Sequence, residues 1–306
     1  MRRREFIAGL GSAAALGLSA QAQTALPVVG FVSARSSADD ARYGGAFRLG
    51  LSETGIDGQR VTVEYHWLDG RYDSLPSLMA DLVRRHVTVI VTTGGTVALA
   101  AKAATADIPI VFGVNENPVN LGLVASIARP GGNATGINLL GQEILTKQLE
   151  LLHKLVPKAV RVAVLVNPAN AANTETTLRA VPDAARALGL EIQVLKASGM
   201  REIEAAFATL VRERADALFV GGDGFFGSRR LQFTILSVRH GIPVVGGDNG
   251  LLMTYATDPT YMYREAGVYT GRILKGAKPA DVPVIQSTKL ELRRRGEITE
   301  SSGWTA

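Results

Sequence analysis

The sequence has no cysteine among its 306 residues, which excludes disulfides and thiolate metal sites. Histidine is scarce: His66, His86, His153 and His240 stand far apart and show no metal-ligand spacing. His86 and His240 fall at the expected C-termini of helices, where facing the helix dipole is a structural role. There is no Gly-x-Ser-x-Gly elbow and no Walker-type phosphate loop, so no hydrolase or nucleotide chemistry is signalled. Beyond the first two dozen residues no apolar run is long enough to cross a bilayer. Charge of one sign is also in short supply. Taking the three Arg and one Glu of residues 1–22 from 33 basic and 28 acidic residues leaves 30 and 27, or +3. That balance is too mild and too dispersed for a nucleic-acid partner.

What is present begins with an export signal. Arg2, Arg3 and Arg4 precede an apolar, Gly/Ala-rich stretch from Phe6 to Leu18, and Ala20-Gln21-Ala22 supplies the small residues for cleavage after Ala22. Arg3-Arg4-Glu5-Phe6-Ile7 resembles the twin-arginine signal, which implies export to the periplasm of a folded chain without membrane insertion after cleavage. An ordinary secretory signal with a chance arginine pair is the other reading. Gly9-Leu10-Gly11-Ser12-Ala13-Ala14 matches a loose dinucleotide fingerprint, but no strand precedes it, so the match carries nothing. The glycosylation sequon Asn133-Ala134-Thr135 is likewise chance in a bacterial-type export context.

Apolar runs of strand length then alternate with helical periodicity. Strands are expected at Val28–Ser33, Val61–Tyr65, Val87–Thr92 and Ile108–Gly113, then at Val160–Val166, Glu191–Leu195, Ala217–Gly221 and Ile242–Gly246. Helices are expected at 39–54, 73–85, 96–106, 141–156, 173–188, 201–213, 228–240 and 262–275. Strands apolar throughout and separated by helices predict parallel sheets covered on both faces. The two series echo each other: Leu82–Val91 aligns with Leu210–Phe219, and Ile108-Pro109-Ile110-Val111 with Ile242-Pro243-Val244-Val245. The expectation is an α/β protein of two Rossmann-like lobes with parallel sheets joined by a hinge. After the signal, 1–22, residues 23–136 plus 251–292 would form the N-terminal lobe and 137–250 the C-terminal lobe. Asn133–Gly136 reads as the first crossing and Leu251–Thr257 as the return.

Ligands of open parallel sheets sit beyond the carboxyl ends of the strands. That rule nominates Ser33–Ser36, Thr92–Thr96 and Gly113–Asn117 in the first lobe, and Asn167–Asn170, Gly221–Phe226 and Gly246–Asn249 in the second. In Thr93-Gly94-Gly95-Thr96, glycines bring N–H groups close, a helix starts at once, and two hydroxyls are at hand. This suits a carboxylate, or else is a helix cap formed by Thr93 or Thr96. Asp223 can accept from an ammonium while Phe225 or Phe226 covers an apolar group, or Asp223 is a cap and a Phe is core. Ser33, Asn115, Asn117, Asn167 and Asn170 are candidate polar contacts, and asparagine also serves turns. Asp248 is a further candidate contact, in Gly246-Gly247-Asp248-Asn249-Gly250, which is also turn chemistry.

Val87–Thr96, Pro118–Val124, Arg129–Gly136, Leu149–Leu152, Ala215–Val220 and Tyr269–Gly276 carry a family resemblance. From Pro27 to Leu292 the chain resembles the ABC-transporter substrate-binding proteins of periplasmic binding protein type I, in the branch with tryptophan-binding members. The resemblance implies a receptor that closes on its ligand and docks on an ABC permease and ATPase complex. It also implies that the Thr93–Thr96 turn helps hold a ligand carboxylate and that Asp223–Phe226 lines the opposite wall. Three departures stand out. Asn117 replaces the Asp that relatives carry before Pro118, residues are missing after Val245, and residues 293–306 form an atypical tail beginning Arg293-Arg294-Arg295. The expected function is a monomeric, non-enzymatic periplasmic receptor without cofactor or metal. Its ligand would be a small solute, an amino acid of aromatic or branched-chain type, bound by hinge closure. An exported sensing domain is the alternative. An exported enzyme on the same scaffold is weakened by the missing acid–base constellation.

Overall fold

The computed structural model describes residues 26–246, 253–287 and 290–294. The export signal 1–22, Asp248 with its glycine-rich loop, and residues 295–306 of the tail lie outside the described residues.

The first series runs β1 (Val28–Ser33), α1 (Gly45–Glu53), β2 (Thr62–Trp67), α2 (Leu75–Arg84), β3 (Val89–Thr93), α3 (Gly95–Ala104), β4 (Ile110–Val114) and β5 (Ala134–Asn138). The second runs α4 (Gly141–Leu155), β6 (Arg161–Val166), α5 (Ala171–Leu188), β7 (Glu191–Lys196), α6 (Met200–Glu213) and β8 (Ala217–Val220). It continues with α7 (Gly224–Ser228), α8 (Arg230–His240), β9 (Val244–Gly246) and β10 (Met253–Thr257). The closing elements are α9 (Pro259–Leu274), β11 (Ile285–Gln286) and β12 (Leu290–Arg294). One sheet has the order β11-β5-β4-β3-β1-β2 and the other β12-β10-β9-β8-β6-β7. The central order is therefore the same in both lobes, and the pairing is parallel except where β12 runs antiparallel to β10.

The uniformly apolar strands follow from burial on both faces. In the first sheet, Val29, Phe31, Val89, Val91 and Val111 face α1 and α9, while Val32, Ile90, Ile110 and Phe112 face α2 and α3. In the second, Leu165, Leu218 and Val220 face α6 and α8, and Val162, Val164 and Phe219 face α4 and α5. The sequence echo has a spatial meaning here: Ile90 and Leu218 occupy matching places in matching strands. Local chemistry sets the element ends. Asp258 caps α9 by accepting from the Thr260 N–H at 3.0 Å with Pro259 at the first helical position, and Gly189 and Gly241 end α5 and α8 in the left-handed conformation.

The structure corrects three readings. Asn133–Gly136 is not a crossing: Ala134–Asn138 is a buried strand of the first sheet, and the chain leaves that sheet only after Asn138. The Pro-Gly-Gly run masked it, and its own Gly136 is there because a Cβ would lie 1.9 Å from the Phe112 carbonyl oxygen. Met253–Thr257 is a strand of the second sheet, so the return to the first lobe comes at Asp258 and not at 251. A third crossing follows, because β11 joins the first sheet and β12 the second. The helix expected over 228–240 is α8, Arg230–His240, and the separate short helix α7, capped by Asp223, precedes it.

Candidate functional site

The carboxyl ends of the strands in both sheets converge on one cavity of about 150 Å³. β1 delivers Ala34 and Arg35, β3 delivers Thr93 and Gly94, and β4 delivers Asn115 and Glu116. From the other lobe, Asn170 and Asn173 come at the start of α5, and Gly221 to Gly224 follow β8. Ile144, Leu145, Phe226, Phe233 and Met262 make an apolar wall. A cavity that combines polar strand-end groups with apolar side chains fits a small amphiphilic solute.

Asp223 is the most heavily bonded group at the site. Its carboxylate accepts from the Phe226 N–H at 3.0 Å, Asn167 Nδ2 at 3.3 Å, Asn170 Nδ2 at 2.8 Å and the Tyr72 hydroxyl at 2.8 Å. It is at once the cap of α7 and a junction of the two lobes, because Tyr72 belongs to the first. Burial, with Asp223 beside it, pushes the Tyr72 phenol well above its ordinary range. The phenol therefore keeps its proton at neutral pH and stays a donor.

Other bonds cross the cleft. Thr96 Oγ1 donates to Asn170 Oδ1 at 2.8 Å and accepts from the Ala172 N–H at 3.2 Å. At the rim Ser228 Oγ donates to Asp39 at 2.5 Å, and Arg229 pairs with Asp69 at 2.6 Å. Phe225 presses on Gly70 of the first lobe, where a Cβ would lie 2.7 Å from its ring. The described lobes are thus closed on each other by polar contacts.

Of the residues singled out in the sequence, Thr93, Gly94, Asn115, Asn170, Asp223 and Phe226 line the cavity. The others stand behind it or beside it. Ser33 is buried and its Oγ accepts from Thr93 Oγ1 at 2.8 Å and from the Arg35 N–H at 3.3 Å. Gly95 begins α3 behind Gly94, Asn167 holds Asp223, and Phe225 serves the contact between lobes. Asn117 accepts from the N–H groups of Val119 and Asn120 at 2.9 and 3.1 Å, so it shapes a turn and not the cavity. Asp248 lies outside the described residues.

Three cavity groups had gone unremarked. Glu116 is only 2 % exposed, and its Oε2 has no hydrogen-bond partner. Burial pushes its carboxyl upward, while the Asn173 amide and the N–H groups of Glu116 and Asn115 pull it back. Arg35 lies with its guanidinium 4.5 Å from the centre of the Tyr43 ring and 4.0 Å from Asp39. Thr257 Oγ1 is buried without a partner. Arg35 and Glu116 stand inside the segments that the strand-end rule nominates, whereas Thr257 ends β10, outside all of them. Among the described residues no cluster of three or more His, Cys, Asp or Glu could hold a metal, and no helix is long and apolar enough to cross a membrane.

The sequence pattern of one family, ABC transporter substrate binding protein, matches residues 25–293. A tyrosine-binding protein of Clostridioides difficile is 26 % identical over 262 residues, covering 84 % of this chain and 74 % of the relative. Among solved structures, the ABC domain in complex with L-Trp from Streptococcus pneumoniae superposes with a TM-score of 0.76 at 21 % identity, over 87 % of this chain and 91 % of that one. A conserved domain protein from Vibrio cholerae gives 0.78 at 20 % identity, over 88 % and 91 %.

Proposed function

The chain belongs to the ABC transporter substrate binding protein family, and from that premise we propose that it is the exported solute receptor of an importer, taking up an amino acid of aromatic or branched-chain type. The observation that carries this reading is the cavity itself. It is shared by both lobes and lined by polar groups at the strand ends together with the apolar side chains Ile144, Leu145, Phe226, Phe233 and Met262. An α-amino acid with an apolar side chain combines the same two kinds of surface. The relative that binds tyrosine and the neighbour bound to L-Trp support the ligand class. Closing on the solute would present a single docking shape to a permease and ATPase complex, with the receptor acting as a monomer. The route of export rests on Arg3-Arg4-Glu5-Phe6-Ile7 and its likeness to the twin-arginine signal.

Thermal denaturation of the purified chain against the amino acids, sugars and nucleosides tests it. An amino acid present at a hundred times its dissociation constant is expected to add about 2.7 kcal/mol of stability, because it binds only the folded chain. A melting temperature raised by a sugar or nucleoside and by no amino acid refutes the ligand class. Chemical turnover of a bound solute refutes the receptor.

A further inference from the structure

We propose that Glu116, and not Asp223, receives the positively charged amine of the solute and so selects ligands that carry one. The proposal rests on the cleft being a solute site.

Among the described residues two carboxyl groups line the cavity, and only one of them has an oxygen without a partner. A carboxylate offers about four lone-pair directions. At Asp223 they are engaged by Tyr72, Asn167, Asn170 and the Phe226 N–H, so an ammonium could bind there only by displacing one of them. Glu116 is the opposite case. It sits at the end of β4, it is buried, and its Oε2 has no partner. A buried acceptor left unpaired is costly, and a donor brought by a ligand would relieve that cost.

Glu116 also settles the polarity of the ligand. Its Oε2 lies where a Cβ on Gly95 would be only 2.8 Å away, so the carboxyl packs beside the Thr93–Thr96 turn at the first residue of α3. That is where the sequence pattern placed a ligand carboxylate. A second carboxylate brought there would meet like charge, whereas an amine would meet an unpaired acceptor. Asp223 and the Asn173 amide face Glu116 from the second lobe and the neutral Tyr72 phenol stands near it in the first, while of the two cations in the lining, Arg35 and Arg230, Arg35 is held against Asp39 and the Tyr43 ring.

Calorimetric titration of the full chain with matched probes tests the assignment. The probes are L-leucine, L-phenylalanine and L-tryptophan, their deaminated acids, and their decarboxylated amines. At least one amine-bearing probe is expected to bind, with its deaminated acid at least tenfold weaker. Glu116→Gln keeps the shape and removes the charge. It is expected to weaken the amine probe at least tenfold and to erase the preference over the acid. The ligand-free melting temperature should hold steady or rise, because a burial cost is removed. A purely structural role would not move that preference. Unchanged discrimination in Glu116→Gln, or a wild-type chain that binds only the acids, overturns the proposal. If the decarboxylated amines bind and the amino acids do not, Glu116 keeps its role and the amino-acid reading fails. If amino acids bind equally well to Glu116→Gln, the reverse holds.

Discussion

Gly267→Val is expected to lower the melting temperature by roughly 10 °C, the equivalent of about 3 kcal/mol in a domain of this size. Gly267 lies inside α9 where that helix packs on α1, and a Cβ on it would fall 2.1 Å from the Phe47 carbonyl oxygen and 2.7 Å from the Leu51 backbone nitrogen. The facing Gly50 of α1 is as tight, with its Cβ position 1.8 Å from the Arg264 carbonyl oxygen. The two helices therefore meet backbone to backbone, and backbone atoms cannot swing aside as a side-chain tip can. A larger residue must push the helices apart, opening the packing around Phe47, Tyr263 and Ala266. Helix propensity works in the other direction, since glycine inside a helix is about 1 kcal/mol worse than alanine. At Gly45, with nothing within 4 Å of its Cβ position, only propensity acts, so Gly45→Ala should be neutral or slightly stabilising. Equal melting temperatures for Gly267→Val and Gly45→Ala in differential scanning calorimetry would refute the close-contact argument.

Asp223→Ala is expected to cost about 3 kcal/mol and to loosen the closed arrangement as well. The substitution removes the cap of α7, worth about 1 kcal/mol, and strands donors that Asp223 had satisfied. Each buried donor left unpaired adds about 1–3 kcal/mol, reduced here by water entering the cavity. Tyr72→Phe removes a single bond of that set, the one that spans the lobes, and should cost about 1 kcal/mol. The double variant should cost less than the two separately, because Tyr72 has nothing left to donate to once Asp223 is gone. Small-angle scattering provides the second readout: Asp223→Ala should have a larger radius of gyration than the parent chain without ligand. A strictly additive double variant would show that the two side chains do not act through their bond.

These two effects differ in how visible they were beforehand. The strands were legible because β-branched runs such as Val89-Ile90-Val91 must be buried on both faces, and only parallel sheets between helices do that. The repeat that aligns Ile90 with Leu218 carried the two-lobe reading, and both residues fill matching strands. By contrast, β5 was hidden by Pro130-Gly131-Gly132, which punctuates like a linker, and β10 by its place after a glycine-rich loop. Each lies between two strands, one of which comes only after α9 in the chain, and periodicity carries no record of a neighbour.

The site divides along the same line. Strand-end chemistry brought Thr93, Gly94, Asn115, Asn170, Asp223 and Phe226 to notice, and all of them line the cavity. It read Asn117 as a polar contact, but an asparagine whose oxygen meets two N–H groups of its own turn is satisfied locally. Sequence alone therefore determined the alternation of strands and helices, the doubling of the unit and the segments that converge. These depend on hydrophobic period and local turn chemistry, which residues near in sequence carry. Only the tertiary structure decided that Asp223 is saturated and that Glu116 is left with an unpaired oxygen. Tyr72 and Asp223 stand 151 positions apart, and no local pattern records which distant donor satisfies a buried charge.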